Sequence, residues 1–317
     1  MNFIKELKQP EKTRFSFELL PPQKGSNIQS LYSIIDKLVE FDPLYINVTY
    51  HQEELVYKKR IDGLLEAKKT RKRPGTVGIS AAIQYKYNIP VVPHLICGSF
   101  SKEDTENALI DLHFLGINNV LIVRGDPPEN IDTFIPHKNG HKHAIGLLKQ
   151  VVDLNNGIYI EDDLSHMEGT DFSIAVAGYP EKHEEAPNFE SDIHYLKQKI
   201  DAGADYIVTQ LFFDNEKFYR FVDECRANDI NVPIIPGLKP VSQKKHLQIL
   251  PKVFKVDLPY PLTKAMEKCK TNKEVQEVGI EWAIKQSEEL VKFGVSNIHY
   301  YTMDRADNIY KIAKEVF

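Results

Sequence analysis

The segment VVPHLICGSFSKEDTENALIDLHFLGINNVLIVRGD, residues 91–126, decides the fold class. It begins with an apolar, β-branched run, continues with a helical period between a Ser101 cap and Gly116, and ends on a second apolar run. A strand, a helix and a strand in this order form a βαβ unit with two parallel strands. Such nearly continuous apolar strands are typical of a parallel sheet that is covered on both faces.

The same alternation of strand and helix extends in both directions along the chain. Eight apolar runs of strand length are FSFELL from Phe15, YINVTY from Tyr45, VVPHLIC from Val91, NVLIVRGD from Asn119, FSIAVAGY from Phe172, YIVTQLFF from Tyr206, PIIPGLK from Pro233 and NIHYYTM from Asn297. Segments of helical periodicity separate them, which predicts an α/β fold, namely a single-domain (β/α)8 TIM barrel over residues 1–317. A doubly wound open sheet is the alternative, but no GxGxxG sequence follows the first strand.

One stretch between the fourth and fifth of these strands departs from the regular spacing. It is expected to contain a helix over His141–Leu154, followed by an insertion over residues 155–171 on the far side of the barrel. The basic run at residues 68–73 is expected to be a solvated helix end.

Composition and charge restrict the class of protein. A net charge of −5 gives no electrostatic footprint for nucleic acid, and no apolar run is long enough to span a bilayer. Three widely separated cysteines suit a reducing compartment, and the polar N-terminus lacks the apolar core of a signal peptide. We therefore expect a soluble cytoplasmic protein with neither nucleic-acid nor membrane partners.

Polar residues follow the predicted strands at the point where each one ends. They are Glu18, Thr49, Tyr50, His51, His94, Arg124, Asp126, Tyr179, His183, Gln210, Lys239, Tyr301 and Arg305. In a TIM barrel the C-terminal ends of the strands carry the chemistry, so this recurrence predicts one active site assembled from many strands.

Taken singly, these residues leave alternatives open. Glu18 either points to an exposed face of its strand or serves as an acid or base at the mouth of a site, because an unpaired buried carboxylate is costly. His94 is either a satisfied core histidine or a site residue, and Arg124–Asp126 is either a structural ion pair or a ligand loop around Gly125. The histidines between residues 137 and 143 lie among lysines, so no metal site is predicted there.

In combination, the sequence resembles the 5,10-methylenetetrahydrofolate reductase family along nearly its whole length. The matching motifs, in order, are FSFELLPP, NVTYH, VVPHLIC, NVLIVRGDPP, VAGYPEKHEEAPNFESDIHYLKQKIDAGADYIVTQLFFD, IIPGLKPVS and IHYYTMDRA. The resemblance implies a bacterial-type enzyme consisting of the catalytic barrel, with FAD as cofactor and NADH or NADPH as hydride donor. It implies reduction of 5,10-methylenetetrahydrofolate to 5-methyltetrahydrofolate in a ping-pong sequence through reduced flavin, in a homo-oligomer.

The resemblance also assigns roles to individual positions. Glu18 matches the general acid and Asp126 the catalytic aspartate beside flavin and pterin. The positions that match FAD contacts are Thr49, Tyr50, His94, Arg124, Gly125, Asp126, Ala144, Tyr179, His183, Asp192 and Lys199. The positions that match substrate contacts are Gln210, Tyr301 and Arg305, and His246 is added to them, although it stands where some members have a folate-contacting glutamine. The alternative function is another TIM-barrel enzyme of lyase or aldolase type, for which Lys239 is the candidate Schiff-base lysine.

Overall fold

A computed structural model describes residues 3–98, 100–127, 133–302 and 306–317 of the chain. The strands are β1 (Arg14–Leu19), β2 (Ile46–Val48), β3 (Glu54–Lys59), β4 (Leu65–Thr70), β5 (Val91–Ile96), β6 (Asn119–Val123), β7 (Ser173–Gly178), β8 (Tyr206–Thr209), β9 (Ile234–Ile235), β10 (Gly237–Leu238) and β11 (Asn297–Tyr301). The helices are α1 (Ile4–Lys8), α2 (Gln29–Leu38), α3 (Thr76–Tyr87), α4 (Lys102–Phe114), α5 (Ala144–Asn155), α6 (Phe189–Asp201), α7 (Asn215–Ala227), α8 (His246–Phe254), α9 (Tyr260–Lys268), α10 (Asn272–Phe293) and α11 (Ala306–Val316).

The parallel strands run around a barrel in the order of the chain. Nine strand segments pair in the order β10, β11, β1, β2, β5, β6, β7, β8 and β9. Only Pro236 separates β9 from β10, so the two ends of this order are halves of one interrupted strand and the sheet closes on itself. Pro236 cannot donate to a ladder, but its carbonyl accepts a hydrogen bond from the His299 N–H at 2.9 Å. The eight predicted runs all form barrel strands, and the TIM-barrel prediction is confirmed.

Two apolar layers hold the barrel together. The outer layer lies between the strands and the surrounding helices and includes Phe15, Phe17 and Leu19 of β1, each at most 1% exposed. The inner layer fills the barrel at its N-terminal end, where α1 forms a plug. The Phe3 ring stacks on Tyr45 at 4.6 Å between ring centroids. This plug leaves the opposite, C-terminal end as the open mouth of the barrel.

Local sequence signals place the helices as expected. The Ser101 hydroxyl accepts from the Asp104 N–H, and the Asp104 carboxylate accepts from the Ser101 N–H, both at 3.0 Å, so α4 begins with a capping box. The predicted helix over His141–Leu154 is present but begins at Ala144, because His143 has extended backbone dihedral angles and serves as the N-cap. None of the helices in the described ranges has the length and apolarity that a membrane span needs.

The interpretation of the basic run as a helix end was wrong. Residues 54–70 form an antiparallel hairpin, β3–β4, and the basic run lies in and directly after β4. An Asp62–Gly63 turn connects the two strands, with Gly63 at φ +83° and the Arg60 N–H donating to the Leu64 carbonyl at 2.8 Å. An Asp-Gly pair between two β-type runs is typical of a hairpin turn. The hairpin could therefore have been predicted from the sequence.

Residues 155–171 form an irregular segment that links the C-terminal end of α5 to the N-terminal end of β7. The Asn155 side chain ties its two ends together, donating to the Phe172 carbonyl at 2.9 Å and accepting from the Thr170 hydroxyl at 2.7 Å. The Ile160 N–H donates to the Glu106 carboxylate on α4 at 2.9 Å. The segment therefore lies at the end of the barrel opposite the C-terminal mouth.

Candidate active site

The C-terminal mouth of the barrel brings Glu18 of β1 against His94 of β5. The Oε2 atom of Glu18 lies 3.5 Å from Nε2 of His94, and the two side chains are 12% and 11% exposed. Glu18 therefore does not point to an exposed face. Its strand neighbours Phe17 and Leu19 are fully buried on the helix side, so alternation along β1 directs Glu18 to the barrel axis.

The environment of Glu18 favours its protonated form. Burial raises the pKa of this carboxyl from 4.5 to about 8. The positive charge of Lys239 lowers the pKa, and the negative charge of Asp126 raises it, so both side chains act on the same group. Glu18 is consequently a neutral acid near pH 7, as a general acid requires.

His94 is neutral as well. Burial lowers its pKa to about 3, and the nearby His51 acts in the same direction. The contact between Glu18 and His94 therefore joins two uncharged groups and is not an ion pair, although its geometry satisfies a salt-bridge distance. The Asn47 amide nitrogen lies 3.2 Å from His94 Nε2 and can only donate, which makes Nε2 the acceptor and places the ring proton on Nδ1.

A second polar layer lies below Glu18 inside the barrel. Residues two apart on a strand share a face, so Ser16 and Glu18 both point inward, and they pair in register with His299 and Tyr301 of β11. The Ser16 hydroxyl lies 2.9 Å from His299 Nδ1 and accepts from the Asn297 amide at 2.7 Å. Burial lowers the pKa of His299 to about 3.

Several residues of these two polar layers were not predicted from the sequence as site residues. Asn47, Ser16, Asn297 and His299 were not proposed as site residues, although each is a polar residue within an apolar strand. That interruption is the signal that could have identified them. It does not reveal which strands bring them together.

Tyr301 closes one side of the mouth. Its hydroxyl donates to the Thr209 carbonyl at 2.6 Å, and burial together with the Glu18 charge raises its pKa far above the usual value. Gly237 makes this reach possible, because a Cβ there would lie 2.3 Å from the Thr209 carbonyl and 2.7 Å from the Tyr301 ring. Gln210 is half-buried nearby, and its amide oxygen accepts from the Leu211 N–H at 2.9 Å.

A cavity of about 330 Å³ is lined on one side by Tyr301 and Thr302. Lys239, Lys245 and His246 line it, together with the apolar side chains of α8, and none of its described lining residues is acidic. The Ser242 N–H donates to His246 Nδ1 at 3.2 Å, which orients the ring. The cavity therefore suits a ligand with an apolar body and an anionic end. Arg305, a predicted contact, lies outside the described residues.

A group of charged side chains surrounds the ends of β6 and β7. The Arg124 guanidinium pairs with the Glu185 carboxylate and lies 4.9 Å from the centroid of the Phe134 ring. Gly125 has φ +90°, and a Cβ there would lie 3.3 Å from Ile96, so this turn requires glycine. The chain can thereby turn sharply between Arg124 and Asp126. An Arg-Gly-Asp sequence directly after a strand is consistent with such a turn.

The other half of this group belongs to β7 and α6. The Tyr179 and His183 rings meet edge to face at 4.7 Å, and the His183 N–H donates to Asp192 at 2.8 Å. Lys199 donates to the Ala177 carbonyl at 3.2 Å. Burial lowers the pKa of Lys199 to about 8, while the Asp192 charge raises it. A cation that is only partly compensated in this way favours the approach of an anion.

The remaining predicted positions lie at the same end of the barrel. Thr49 is buried and its hydroxyl donates to the Leu19 carbonyl at 3.2 Å. The Tyr50 ring meets the Phe100 ring edge to face at 4.9 Å, and the Arg71 guanidinium lies 5.3 Å from its centroid. Ala144 is the first residue of α5. Within the described chain, no group of three or more His, Cys, Asp or Glu residues is arranged to hold a metal.

Comparison with known proteins identifies the family. The family model described as Methylenetetrahydrofolate reductase matches residues 3–316. This chain belongs to the methylenetetrahydrofolate reductase family. It is 32% identical over 303 residues to 5,10-methylenetetrahydrofolate reductase of Pectobacterium carotovorum subsp. carotovorum, covering 94% of this chain and 88% of that protein.

Plant relatives are similar but longer. Methylenetetrahydrofolate reductase (NADH) 1 of Arabidopsis thaliana is 32% identical over 311 residues, which cover 95% of this chain and 48% of that protein. The chain thus spans about half the length of the plant relatives that it matches. Among solved structures, a Clostridium thermocellum protein that binds two copies of 5-methyl-5,6,7,8-tetrahydrofolic acid has a TM-score of 0.58 at 15% identity, covering 98% of this chain and 97% of that one. That likeness supports the fold.

Proposed function

We propose that this member of the methylenetetrahydrofolate reductase family reduces 5,10-methylenetetrahydrofolate to 5-methyltetrahydrofolate. The electrons come from NADH or NADPH through FAD, in two half-reactions that share one site. The observation that carries the proposal is the neutral Glu18 carboxyl at the barrel mouth, held between His94 and the opposing charges of Lys239 and Asp126.

Glu18 is the general acid of the folate half-reaction. Its carboxyl donates a proton to the bridging nitrogen of the bound folate, the carbon–nitrogen bond of the five-membered ring breaks, and a reactive iminium forms. Glu18 is left as a carboxylate and regains a proton from solvent before the next turnover. Because burial raises its pKa to about 8, the acid form predominates at neutral pH.

His94 and Asn47 orient this acid. Asn47 donates to Nε2 of His94 and keeps it unprotonated, so the ring presents no positive charge to the Glu18 carboxyl. A charged His94 would instead stabilise the Glu18 carboxylate and lower the pKa of the acid. The neutral imidazole therefore helps Glu18 keep its proton until the substrate is bound.

The charged group at β6, β7 and α6 fits FAD. Arg124 and Lys199 are half-buried cations that suit a pyrophosphate, and the Gly125 turn lets the backbone approach a flat ring system. Thr49, Tyr50, His94, Ala144, Tyr179, His183 and Asp192 complete the proposed set at the same end of the barrel. Bound FAD would supply the hydride-transfer chemistry between the nicotinamide and the folate.

Folate binding falls to the side chains around Glu18 and to the neighbouring cavity. Asp126 and Gln210 would hold the pterin, while Tyr301 and His246 would contact the rest of the molecule. The cavity lined by Lys239 and Lys245 is open to the anionic tail of a folate. Arg305 is proposed as a further contact to that tail.

The identity of the hydride donor is a separate question. The relatives' names include both NADH, in Arabidopsis thaliana, and NADPH, in Caenorhabditis elegans. We propose that the hydride donor is NADH or NADPH. Anaerobic rates of flavin reduction with NADH and with NADPH would measure the preference.

A protein with this function is expected in the cytoplasm.

The visible absorption spectrum of the purified protein tests the proposal directly. A yellow protein that bleaches under anaerobic NADH or NADPH and regains its colour on addition of methylenetetrahydrofolate would demonstrate both half-reactions. Bleaching without reoxidation by the folate would support the flavin site and contradict the assigned substrate. A colourless protein that does not take up FAD would refute the flavin site, and lyase activity in such a protein would favour the alternative class of TIM-barrel enzyme.

A further inference from the structure

Two segments of this chain take no part in the proposed reaction, and their surfaces are complementary. One is the β3–β4 hairpin, residues 54–70, and the other is the irregular segment 155–171, here called the acidic segment. The hairpin follows β2 at the C-terminal mouth of the barrel, whereas the acidic segment precedes β7 at the N-terminal end. Because they lie at opposite ends of one barrel, they cannot meet within one chain.

The hairpin presents apolar side chains to solvent. Every residue from 57 to 68 is exposed, including Tyr57 at 61%, Ile61 fully, Leu64 at 65% and Leu65 at 67%. Pairing in register places Tyr57 opposite Ala67 and Lys59 opposite Leu65, so one face of the ribbon is largely apolar. A two-stranded ribbon is marginally stable in water unless its apolar face is covered, which indicates a docking surface.

The charges of the two segments are opposite. Residues 54–73, the hairpin with the three basic residues that follow it, contain eight Lys and Arg against three Asp and Glu. Arg71 and Arg73 turn back to the barrel, where they contact Tyr50 and the Pro21 carbonyl, while Lys58, Lys59, Arg60 and Lys68 stay exposed along the ribbon. The acidic segment contains five Asp and Glu and neither Lys nor Arg.

The acidic segment also exposes apolar side chains among its acids. Ile158 and Ile160 are 56% and 50% exposed, and Leu164 and Met167 are 40% and 43% exposed. At the end of the neighbouring α4, Phe114 is 83% exposed, and the adjacent His113 lies 3.9 Å from Asp171 of the acidic segment. Exposed apolar side chains interspersed with acids are complementary to a ribbon whose exposed apolar side chains are interspersed with lysines.

We propose that the hairpin of one chain docks on the acidic segment of a second copy, and that the reciprocal contact closes a two-fold symmetric homodimer. A two-fold axis repeats the same pair of surfaces, so each dimer contains the contact twice. No docking surface is then left unpaired to bind a third chain. The apolar side chains supply the buried area, and the opposite charges set the register and speed the encounter. This assembly does not depend on the chemistry at the barrel mouth.

Charge reversal tests the pairing. Lys58→Glu with Lys59→Glu in the hairpin, and separately Asp162→Lys with Asp163→Lys in the acidic segment, are each expected to raise the dimer Kd by about tenfold or more in analytical ultracentrifugation at physiological salt. The chain that carries all four substitutions is expected to recover an affinity within about threefold of the parent. The control, Lys285→Glu with Lys292→Glu on the exposed side of α10, changes the net charge equally and should leave the Kd unchanged.

Site-directed cross-linking identifies the surfaces that meet. Cys97, Cys225 and Cys269 are buried, so introduced surface cysteines react selectively. A mixture of Ile61→Cys and Leu164→Cys chains is expected to form the mixed disulfide on mild oxidation, with the copper-catalysed loss of two thiol protons and two electrons to oxygen. A disulfide from Ile61→Cys alone would show hairpin-on-hairpin pairing and overturn the proposal. A parent chain that stays monomeric at about 100 µM, or four substitutions that fail to restore association, would overturn it as well.

Discussion

Replacing Glu18 by Gln is expected to make the protein more stable and the folate half-reaction much slower. Gln has nearly the shape of a protonated Glu and donates through its amide, but it has no proton to give to the substrate. Glu18 is 12% exposed and touches a neutral His94, so a neutral amide fits the position. Function and stability should therefore move in opposite directions at this one residue.

The size of the stability effect follows from the shift in pKa. An unfolded chain ionises Glu18 near pH 4.5, whereas the folded chain holds its proton up to a pKa of about 8. Stability is accordingly lost as the pH rises from about 4.5 to about 8, because the unfolded state releases the proton first. At pH 7 this linkage costs about 3 kcal/mol, a cost that the neutral glutamine side chain of the variant would not incur.

Two measurements test these effects on the same protein. Urea unfolding at pH 5, 7 and 8.5, with protein and FAD concentrations held fixed, is expected to show a stability gap between variant and parent that widens with pH. Stopped-flow absorbance of the flavin is expected to show an unchanged rate of reduction by NADH or NADPH. Reoxidation by methylenetetrahydrofolate should slow by about 100- to 10,000-fold, the usual contribution of general acid catalysis.

Glu288→Gln serves as the matched control, because Glu288 is exposed on α10, away from the barrel mouth and from the acidic segment. It should change neither the folate rate nor the pH dependence of unfolding. A Glu18→Gln variant that reoxidised at the parent rate would refute the role of Glu18 as the acid. A variant whose stability falls with pH in parallel with the parent would refute the raised pKa, whatever its rate.

Four further substitutions have expected outcomes of known direction. Lys239→Met removes the charge that lowers the Glu18 pKa, so the alkaline limb of the pH profile of the folate half-reaction should move up by about 0.5–1 unit; an unmoved limb would contradict the coupling. Asp126→Asn removes the charge that raises this pKa, so single-turnover rates across pH should show the limb moving down. Gly125→Ala places a Cβ at φ +90° and should cost about 1–2 kcal/mol in urea unfolding and weaken FAD binding. Gly78→Ala, in an open position of α3, should instead stabilise by about 0.5–1 kcal/mol, and equal effects at the two glycines would contradict the backbone reasoning.

The mouth of the barrel was partly foreseeable. The rule that chemistry gathers at strand ends predicts from the sequence that Glu18 and His94 share one site, and the structure brings them to 3.5 Å. The hairpin at residues 54–70 was not predicted, because its basic charge is equally typical of a helix end and only the Asp62–Gly63 turn indicates a ribbon. The helix before Asn155 was foreseen, but its first residue was placed three positions early, since helix ends depend on local backbone angles.

The sequence by itself determined the barrel. Eight apolar runs alternating with helices leave few ways to bury both faces of a parallel sheet, and that constraint acts through local periodicity, which a single sequence displays. Only the tertiary structure decided which polar groups meet. Asn47 on β2 contacts His94 on β5, His94 contacts Glu18 of β1, and the charge of Lys239 after β10 acts on Glu18, although these residues lie far apart along the chain. Protonation depends on burial and on charges across the barrel, and these are set only once the strands have closed.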